Sequence, residues 1–369
     1  MGIAVSSLDH LHALVMAGGS GTRFWPASRR LRPKQLLPIA PGTDESLLAS
    51  TIRRILPLCP AERILVVTGE HLLEATRAAV AAFPGVTVVA EPVPRNTAPA
   101  IGWGTALLAR RDPEAVVMAL PSDHHIKDEA GFLAAIERAV ASAGKGPITT
   151  IGIAPSRPET GYGHIEASDE VSPGVRRAVR FVEKPDRVRA EEYMRSGRYF
   201  WNSGMFFYRA STMLDAVSAH LPELSAGLRR IEVAAAHGPE AEAEETQAVF
   251  PSLPNISIDY GVMEKMPLLH VVPAEFGWSD LGSWPAAWEL GRKDANGNVA
   301  DAGAILVDSH GSLVRDLGTG GGKVIALVGV RDLCVIETDD AVLVIPRDRA
   351  QDVRLVVEEL RARGLADKL

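Results

Sequence analysis

Short apolar runs recur along the first half of the chain, and segments with helical spacing lie between them. Runs of four to six apolar residues are typical of strands that are buried on both faces. The intervening segments carry apolar residues three or four positions apart, as in Phe132, Ile136 and Val140. The runs that predict strands are residues 14–17, 64–68, 86–90, 115–120 and 148–153.

Strands that alternate with helices predict an α/β fold. We expect a Rossmann-like mixed sheet, mostly parallel, with helices on both faces. Ligands bind such a sheet beyond the carboxyl ends of its strands. Two polar segments directly follow predicted strands, residues 18–23 and residues 121–123. The ligand site is therefore expected at that edge of the sheet.

The pattern changes after Gly291. Residues 293–298 are turn-forming and residues 318–322 are rich in glycine, which favours a new domain made of short strands. We predict a first domain over residues 1–292 and a small β-rich domain over residues 293–369. In the second domain the predicted strands are 304–307, 323–327, 333–337 and 342–345, with a closing helix over 349–363.

Composition excludes several classes of protein. The 369 residues carry a formal net charge of -7 and no long basic run, which argues against a nucleic-acid partner. No apolar stretch is long enough to cross a bilayer, and no secretory signal is recognisable. Two cysteines, Cys59 and Cys334, are too few for a disulfide framework. We expect a cytoplasmic protein with no membrane partner.

The most informative segment joins a predicted strand to a glycine-rich loop. Gly18, Gly19 and Gly21 are followed by Arg23 and Lys34. Glycines let backbone N–H groups approach an anion because no Cβ blocks the way, and the two basic side chains add positive charge. This pattern predicts a site for nucleotide phosphates. It lacks the spacing of a dinucleotide fingerprint, a Walker loop or a nucleophile elbow.

Two motifs in this segment carry a family resemblance. Residues 18–23, Gly-Gly-Ser-Gly-Thr-Arg, followed by Pro33 and Lys34, resemble the signature of sugar-1-phosphate nucleotidyltransferases. Residues 24–26, Phe-Trp-Pro, and residues 33–35, Pro-Lys-Gln, resemble the mannose-1-phosphate guanylyltransferase branch of that superfamily. The resemblance extends over nearly the whole chain.

The resemblance implies an activity and an assembly. Members of that branch transfer GMP from GTP to α-D-mannose 1-phosphate, which forms GDP-mannose and pyrophosphate. The sugar phosphate oxygen attacks the α-phosphorus in line, and Mg²⁺ assists. A small C-terminal domain, similar to a left-handed β-helix, is often used for self-association, so a homodimer is expected.

The resemblance also assigns the nucleotide and metal residues. Asp123 follows the predicted strand 115–120, where its carboxylate would ligate Mg²⁺. Asp280 lies in a segment similar to the family's second metal-binding segment, and only the resemblance pairs it with Asp123. Arg23 and Lys34 complete the expected catalytic set. The predicted nucleotide-binding residues are Gly18, Gly19, Ser20, Gly21, Thr22, Arg23, Asn96 and Ser122.

Residues 91–100 contain three prolines, which exclude a regular helix or a central strand. In the guanylyltransferase branch a similar stretch lies beside the nucleotide, where Arg95 or Asn96 would read the base or a phosphate. A rigid connector before the helix that starts near Pro99 is the other interpretation.

Three further segments resemble the sugar-phosphate half of the site, namely residues 160–166, 181–185 and 200–206. A glycine allows close backbone approach, a glutamate accepts from sugar hydroxyls, a lysine holds the 1-phosphate, and an asparagine both donates and accepts. The predicted residues are Gly163, Glu183, Lys184 and Asn202. His164 stands where the branch often has an aromatic residue, which leaves the choice of hexose open.

Three rival functions remain at this point. The same reaction with another pair, such as UTP or dTTP with glucose 1-phosphate, differs only in loop details. A non-catalytic subunit that senses nucleotide sugars would lack the catalytic residues, yet all of them are present. An NAD-dependent dehydrogenase is disfavoured because the dinucleotide fingerprint is missing.

Overall fold

The computed structural model describes residues 7–19, 21–40, 43–318, 320 and 323–369. Within it the chain forms two compact units. The first unit comprises the described residues of Met1–Gly18, Ile52–Ser122 and Ile126–Trp278. The second unit comprises those of Gly19–Thr51, Asp123–His125 and Ser279–Leu369.

Strands and helices alternate along the described part of the chain. The strands are β1 Leu11–Met16, β2 Ile64–Gly69, β3 Thr87–Glu91, β4 Val116–Pro121, β5 His125–Ile126, β6 Ile148–Ile153, β7 His164–Ser172, β8 Val175–Val182, β9 Tyr199–Arg209, β10 Leu269–Ala274, β11 Trp278–Ser279, β12 Val299–Ala300, β13 Ile305–Val307, β14 Leu313–Asp316, β15 Ala326–Val328, β16 Leu333–Glu337 and β17 Val342–Pro346. The α-helices are α1 Leu47–Ile55, α2 Leu73–Ala79, α3 Thr97–Arg111, α4 Glu129–Ala143, α5 Arg187–Ser196, α6 Ala210–His220, α7 Pro222–Ala235, α8 Pro239–Val249, α9 Ile258–Gly261, α10 Trp284–Leu290 and α11 Val353–Ala362.

The first unit is built on a nine-stranded sheet with the order β3-β2-β1-β4-β9-β6-β10-β8-β7. Strands β8 and β9 run opposite to the rest, since each of them pairs with its neighbours only in antiparallel fashion. The prediction of a mixed, mostly parallel sheet is therefore confirmed. Every residue of β2 and β6 is buried, including Thr68 of β2 and Thr149 and Thr150 of β6, which agrees with strands that are covered on both faces.

Helices α3, α6 and α7 pack against this sheet in one apolar cluster, which includes Leu14, Ile101 and Met213. The Ala- and Glu-rich stretch 221–248 predicts exposed, peripheral helices, and for α7 that expectation is wrong. Leu224, Leu228 and Ile231 of α7 are buried at spacings of four and three, so this helix presents an apolar stripe to the core.

The carboxyl ends of four adjacent strands of this sheet lie side by side. Met16 at the end of β1 aligns with Pro121 of β4, and Gly69 of β2 aligns with Glu91 of β3. The backbone N–H of Ser122 donates to the Met16 carbonyl over 3.1 Å. The polar segments that follow β1, β3 and β4 therefore start from one edge, as the sheet topology predicts.

The second unit contains two ladders of short parallel strands. Strands β12, β14 and β16 pair in parallel, β17 closes that sheet in antiparallel fashion, and β13 pairs in parallel with β15. Among the described residues, no helix is both long and apolar enough to cross a membrane. The left-handed turn and the boundary between residues 292 and 293 stay predictions.

The core of the second unit joins residues from the two ends of the sequence. Phe24 and Trp25 share one apolar cluster with Trp284 and Val353. The rings of Phe24 and Trp284 meet edge to face, 4.8 Å apart. The indole N–H of Trp25 donates to the backbone carbonyl of Lys368 over 2.9 Å. The segment that follows the glycine loop is therefore anchored on C-terminal residues.

Candidate active site

The glycine-rich loop is held against the segment that contains Lys34. Gly21 has a φ of 58°, and a Cβ added to it would lie 2.6 Å from the Lys34 Cβ. Glycine is required here for its backbone conformation and for this close approach. The side-chain amide of Gln35 donates to the Gly19 carbonyl over 3.1 Å. Ser20 lies outside the described residues.

The rest of the loop faces solvent. Gly18 and Gly19 are exposed, as are Thr22 and Arg23. The Arg23 guanidinium makes no hydrogen bond or ion pair within the described parts of the chain, so its charge is available to an incoming anion. This agrees with the predicted phosphate-binding role, which remains a prediction.

Lys34, Asp123 and Asp280 come together in the second unit. The Lys34 side chain is 7% exposed, and its ammonium donates to Asp123 Oδ2 over 2.9 Å. The same ammonium donates to the backbone carbonyl of Asp280 over 2.5 Å. The backbone N–H of Gly282 donates to Asp280 Oδ1 over 3.2 Å, which orients that carboxylate. The structure thus brings together three of the four predicted catalytic residues, and their catalytic and metal-binding roles remain predictions.

The cluster suits a cation. Burial alone would raise the pKa of Asp123, but the charges of Lys34 and His124 together with the Lys34 hydrogen bond hold that pKa below its ordinary value. Asp123 is therefore a carboxylate, and the Asp280 carbonyl adds a second oxygen. No group of three or more His, Cys, Asp or Glu side chains arranged for a metal occurs in the described residues. Any metal there would keep water or substrate oxygens as further ligands, as Mg²⁺ usually does.

The predicted sugar-phosphate residues form a second group, in the first unit. The Asn202 side-chain amide donates to Asp259 Oδ1 over 3.1 Å, and its oxygen accepts from the Gly204 N–H over 3.1 Å. Thr150 Oγ1 donates to the same oxygen over 3.3 Å. These three bonds fix the orientation of the amide. Burial, with help from the nearby Glu183 charge, raises the pKa of Asp259 to about 6.

Glu183 and Lys184 lie beside Gly163 in this second group. The Lys184 ammonium donates to Glu183 Oε1 over 2.9 Å, and this bond raises the pKa of Lys184. A Cβ added to Gly163 would lie 2.4 Å from Glu183 Oε2 and 3.3 Å from the Asn202 Cβ. Any larger residue at position 163 would displace the carboxylate. The structure thus brings Gly163, Glu183, Lys184 and Asn202 together, and their role toward a sugar phosphate remains a prediction.

Other predicted nucleotide residues have structural contacts of their own. Asn96 is the N-cap of α3, where its side-chain oxygen accepts from the Thr97 N–H over 2.9 Å. The Arg95 guanidinium donates to the Pro251 carbonyl. Ser122 is buried at the end of β4. The contacts of Arg95 and Asn96 agree with the rigid-connector interpretation of this stretch, and their roles toward a nucleotide remain predictions.

Glu91 is the polar residue that sequence reasoning missed. It ends β3 and is only 6% exposed, and its Oε1 has no hydrogen-bond partner among the described residues. Burial raises its pKa to about 7. A Cβ placed on Gly18 would lie 3.9 Å from Glu91 Oε2, so this carboxyl group borders the start of the glycine loop. The available signal was a glutamate at the end of an otherwise apolar strand.

Two family models match this chain. The first, described as nucleotidyl transferase, matches residues 12–297. The second, described as MannoseP isomerase/GMP-like beta-helix domain, matches residues 303–360. The second match agrees with the short parallel strands of the C-terminal region and confirms the predicted β-rich, β-helix-like fold there.

Named relatives are similar over almost the whole chain. The alginate biosynthesis protein AlgA of Pseudomonas aeruginosa is 39% identical, over 96% of this chain and 73% of its own length. A mannose-1-phosphate guanylyltransferase of Klebsiella pneumoniae is 38% identical, over 94% and 73%. A solved Thermus thermophilus structure described as mannose-1-phosphate geranyltransferase superposes with a TM-score of 0.85 at 35% identity, covering 95% of this chain and 99% of that one. The chain belongs to the nucleotidyl transferase family.

Proposed function

We propose that the protein transfers GMP from GTP to α-D-mannose 1-phosphate and releases pyrophosphate. Family membership supports nucleotidyl transfer to a sugar phosphate, and the Klebsiella relative bears the name of this activity. A new bond forms between the sugar phosphate oxygen and the α-phosphorus, and the bond from the α-phosphorus to the pyrophosphate breaks. No covalent intermediate with the enzyme is needed, so catalysis consists of positioning and charge stabilisation.

The two groups of residues divide this work. Arg23, Lys34 and the loop amides bind the triphosphate and stabilise its developing charge. Lys184 holds the phosphate of the sugar, while Glu183 and the fixed amide of Asn202 bind sugar hydroxyls. Each group orients its own reactant, and orientation of reactants lowers the entropic part of the barrier.

Asp123 and Asp280 are the residues that would hold a divalent cation, and Mg²⁺ is the ion we propose. The oxygen atoms that now accept from the Lys34 ammonium match the ligands that Mg²⁺ prefers. A cation bound there would neutralise charge on the triphosphate.

The single observation that favours guanine is the buried carboxyl group of Glu91, whose Oε1 has no hydrogen-bond partner in the part of the chain that the structure describes. Guanine presents two adjacent donors, N1–H and the 2-amino group, and an ionised carboxylate accepts both. Adenine presents an acceptor at N1, and uracil or thymine presents one N–H between two carbonyls. A buried acceptor pair therefore selects guanine, because any other base leaves part of the carboxylate unpaired.

The first experiment measures pyrophosphate release by the purified full chain with Mg²⁺ and each combination of four nucleoside triphosphates with mannose 1-phosphate or glucose 1-phosphate. Release that requires GTP, mannose 1-phosphate and metal together is expected. If pyrophosphate is released with a different triphosphate and sugar phosphate, those two compounds replace GTP and mannose 1-phosphate as the proposed substrates. If no combination releases pyrophosphate, the result favours a non-catalytic subunit.

A second experiment tests Glu91 with ITP, which lacks the 2-amino group. Wild-type protein should prefer GTP over ITP by about 10- to 100-fold in kcat/KM, the usual contribution of one hydrogen bond to a charged group, because inosine keeps N1–H and loses only the 2-amino donor. Glu91→Gln should shrink that preference several-fold. Glu70→Gln is the matched control, since Glu70 is an exposed glutamate directly after the neighbouring strand β2. An unchanged preference in Glu91→Gln would remove the role of Glu91.

Two further expectations belong to the proposal. We expect a homodimer located in the cytoplasm. Sedimentation analysis of the purified chain measures the first, and a single species at the monomer mass of 39.4 kDa would contradict it.

A further inference from the structure

The Lys34 ammonium is fixed in a buried position within the second unit. Its side chain packs against Gly21, and Nζ lies 5.7 Å from the centroid of the Phe24 ring. A buried ammonium is costly unless it is paired. Here the pairing is supplied by the Asp123 carboxylate at 2.9 Å and the Asp280 carbonyl at 2.5 Å. The packing and both acceptors hold this cation in place.

The acceptors of that ammonium are the oxygens that a divalent ion would use. Mg²⁺ and Mn²⁺ bind carboxylate and carbonyl oxygens. Two cations that share the carboxylate of Asp123 would stand a few ångströms apart, and their repulsion is felt because the Lys34 side chain is only 7% exposed and its ammonium is poorly screened by water. A metal ion therefore cannot simply be added to this arrangement, because the ammonium has to move.

We propose that Lys34 is an internal counter-cation that a divalent metal ion displaces from Asp123. The metal alone then binds weakly, since it must break the ion pair without giving the ammonium a new partner. A triphosphate supplies that partner, so metal and nucleotide strengthen each other's binding. Only this last step rests on the proposed function, because it needs a nucleotide whose phosphates accept from Lys34.

The test titrates the full-length protein with Mn²⁺ alone by calorimetry. Lys34→Met removes the competing charge and keeps a side chain of similar length. The matched control is Lys368→Met, which removes the same charge from a surface pair with Asp340 at 3.1 Å. Lys34→Met should bind Mn²⁺ at least about tenfold more tightly than wild type, and Lys368→Met should differ by less than about twofold.

Additional variants make the outcome specific. Asp123→Asn in the Lys34→Met background should abolish the gain, because the freed carboxylate is gone. Lys34→Arg keeps the charge and should show no gain. If Lys34→Met does not fold, Lys34→Gln tests the same loss of charge while it keeps a donor for Asp123. Equal or weaker Mn²⁺ binding in folded Lys34→Met or Lys34→Gln overturns the proposal.

A thermal readout is independent of catalysis. Without metal, Lys34→Met should unfold at a lower temperature than wild type, because Asp123 has lost its partner. Saturating Mn²⁺ should then raise its Tm by more than it raises the wild-type Tm. With GTP added, Mn²⁺ affinity should rise more in wild type than in Lys34→Met. If GTP raises the Mn²⁺ affinity of both proteins equally while the other results are as expected, the displacement of Lys34 by metal stands. The proposal that the nucleotide phosphates then bind Lys34 fails.

Discussion

Three residues other than glycine adopt a positive φ at or beside predicted site positions. They are Asn96 at 67°, Lys184 at 48° and Leu281, next to Asp280, at 45°. L-residues rarely adopt this region, and each instance costs on the order of 1–3 kcal/mol unless local hydrogen bonds offset it. Such strain persists where the surroundings fix the backbone. The positive φ angles of Lys184 and Leu281 are consistent with the prediction that the segments containing Lys184 and Asp280 form part of the active site.

Asp123→Ala removes the carboxylate that pairs with Lys34. We expect kcat/KM for pyrophosphate release to fall by about 10² to 10⁴, because the metal position and the partner of a buried ammonium are lost together. Asp169→Ala is a suitable control, since Asp169 is exposed. A correctly folded Asp123→Ala protein that keeps most of its activity would refute this role.

Gly163→Ala should weaken the binding of mannose 1-phosphate and leave the binding of GTP unchanged. Its Cβ would lie 2.4 Å from Glu183 Oε2, so the carboxylate has to move. We expect the KM for mannose 1-phosphate to rise about tenfold or more while the KM for GTP stays within twofold, as displaced binding groups cost affinity and rate. Steady-state kinetics with one substrate varied at a time measures both, and an equal rise in the two constants would contradict the assignment.

Glu91 makes stability depend on pH. Its pKa is raised by burial from 4.5 to about 7, so the folded chain holds a proton there that the unfolded chain releases above pH 4.5. The resulting cost to folding grows between pH 4.5 and about 7 and is complete above that, at about 3 kcal/mol. Denaturant unfolding should show Glu91→Gln gaining stability relative to wild type from pH 5 to pH 8. A difference that stays constant from pH 5 to pH 8 would show that folding does not raise the pKa of Glu91.

Among the strands, β2 and β6 were predictable from their sequences, whereas β9 was not. The runs 64–68 and 148–153 correspond closely to β2 and β6. Residues 200–206 are marked by sequence only as a site segment, yet they lie in β9, an inner strand of the sheet. Its polar Ser203 is satisfied by a hydrogen bond to the Ile151 carbonyl over 2.7 Å. Such compensation depends on a neighbouring strand, which the sequence of β9 does not contain.

Close packing between strands predicts the effect of Gly152→Ala. A Cβ on Gly152 of β6 would lie 2.6 Å from Val271 Cγ2 and 2.8 Å from the Phe200 Cβ. We expect a loss of about 1–3 kcal/mol in the free energy of unfolding, the usual cost of overpacking a core. Gly303→Ala is the control, because its added Cβ has no neighbour within 4 Å. Equal denaturation midpoints for the two variants would show that the sheet adjusts freely.

Over the entire chain, the motifs singled out residues that the structure also groups, while the division into two units could not be predicted. The grouping of Lys34, Asp123 and Asp280 was predictable because each lies in a motif that resembles the family's, and their catalytic roles remain predictions. The inclusion of Gly19–Thr51 in one unit with Ser279–Leu369 was not, because it depends on contacts between residues hundreds of positions apart. Glu91 was missed for a related reason, since burial of a carboxyl group is a property of the folded sheet.

The shared core of the second unit predicts that α11 supports the glycine loop. Val353 of α11 is fully buried in the cluster that contains Phe24 and Trp25, whereas Leu355 on the same helix is 50% exposed. Val353→Ala should lower stability by about 1–2 kcal/mol and raise the KM for GTP, because the removed methyl groups leave a cavity in the loop's support. Leu355→Ala should change neither. Thermal unfolding and steady-state kinetics with GTP, measured on both variants, test whether α11 supports the glycine loop.

The hydrogen bond from Trp25 to Lys368 has a consequence for synthesis of the protein. A ribosome releases the chain from its first residue, and units generally fold once their sequence has emerged. Trp25 emerges early, but the carbonyl that it binds belongs to Lys368, 343 positions later in the chain. The loop predicted to receive GTP therefore gains its full support only after Lys368 has been synthesised. A nascent chain that already carries Arg23, Lys34, Asp123 and Asp280 is thus expected to remain inactive until Lys368 has been added and Trp25 can bind it.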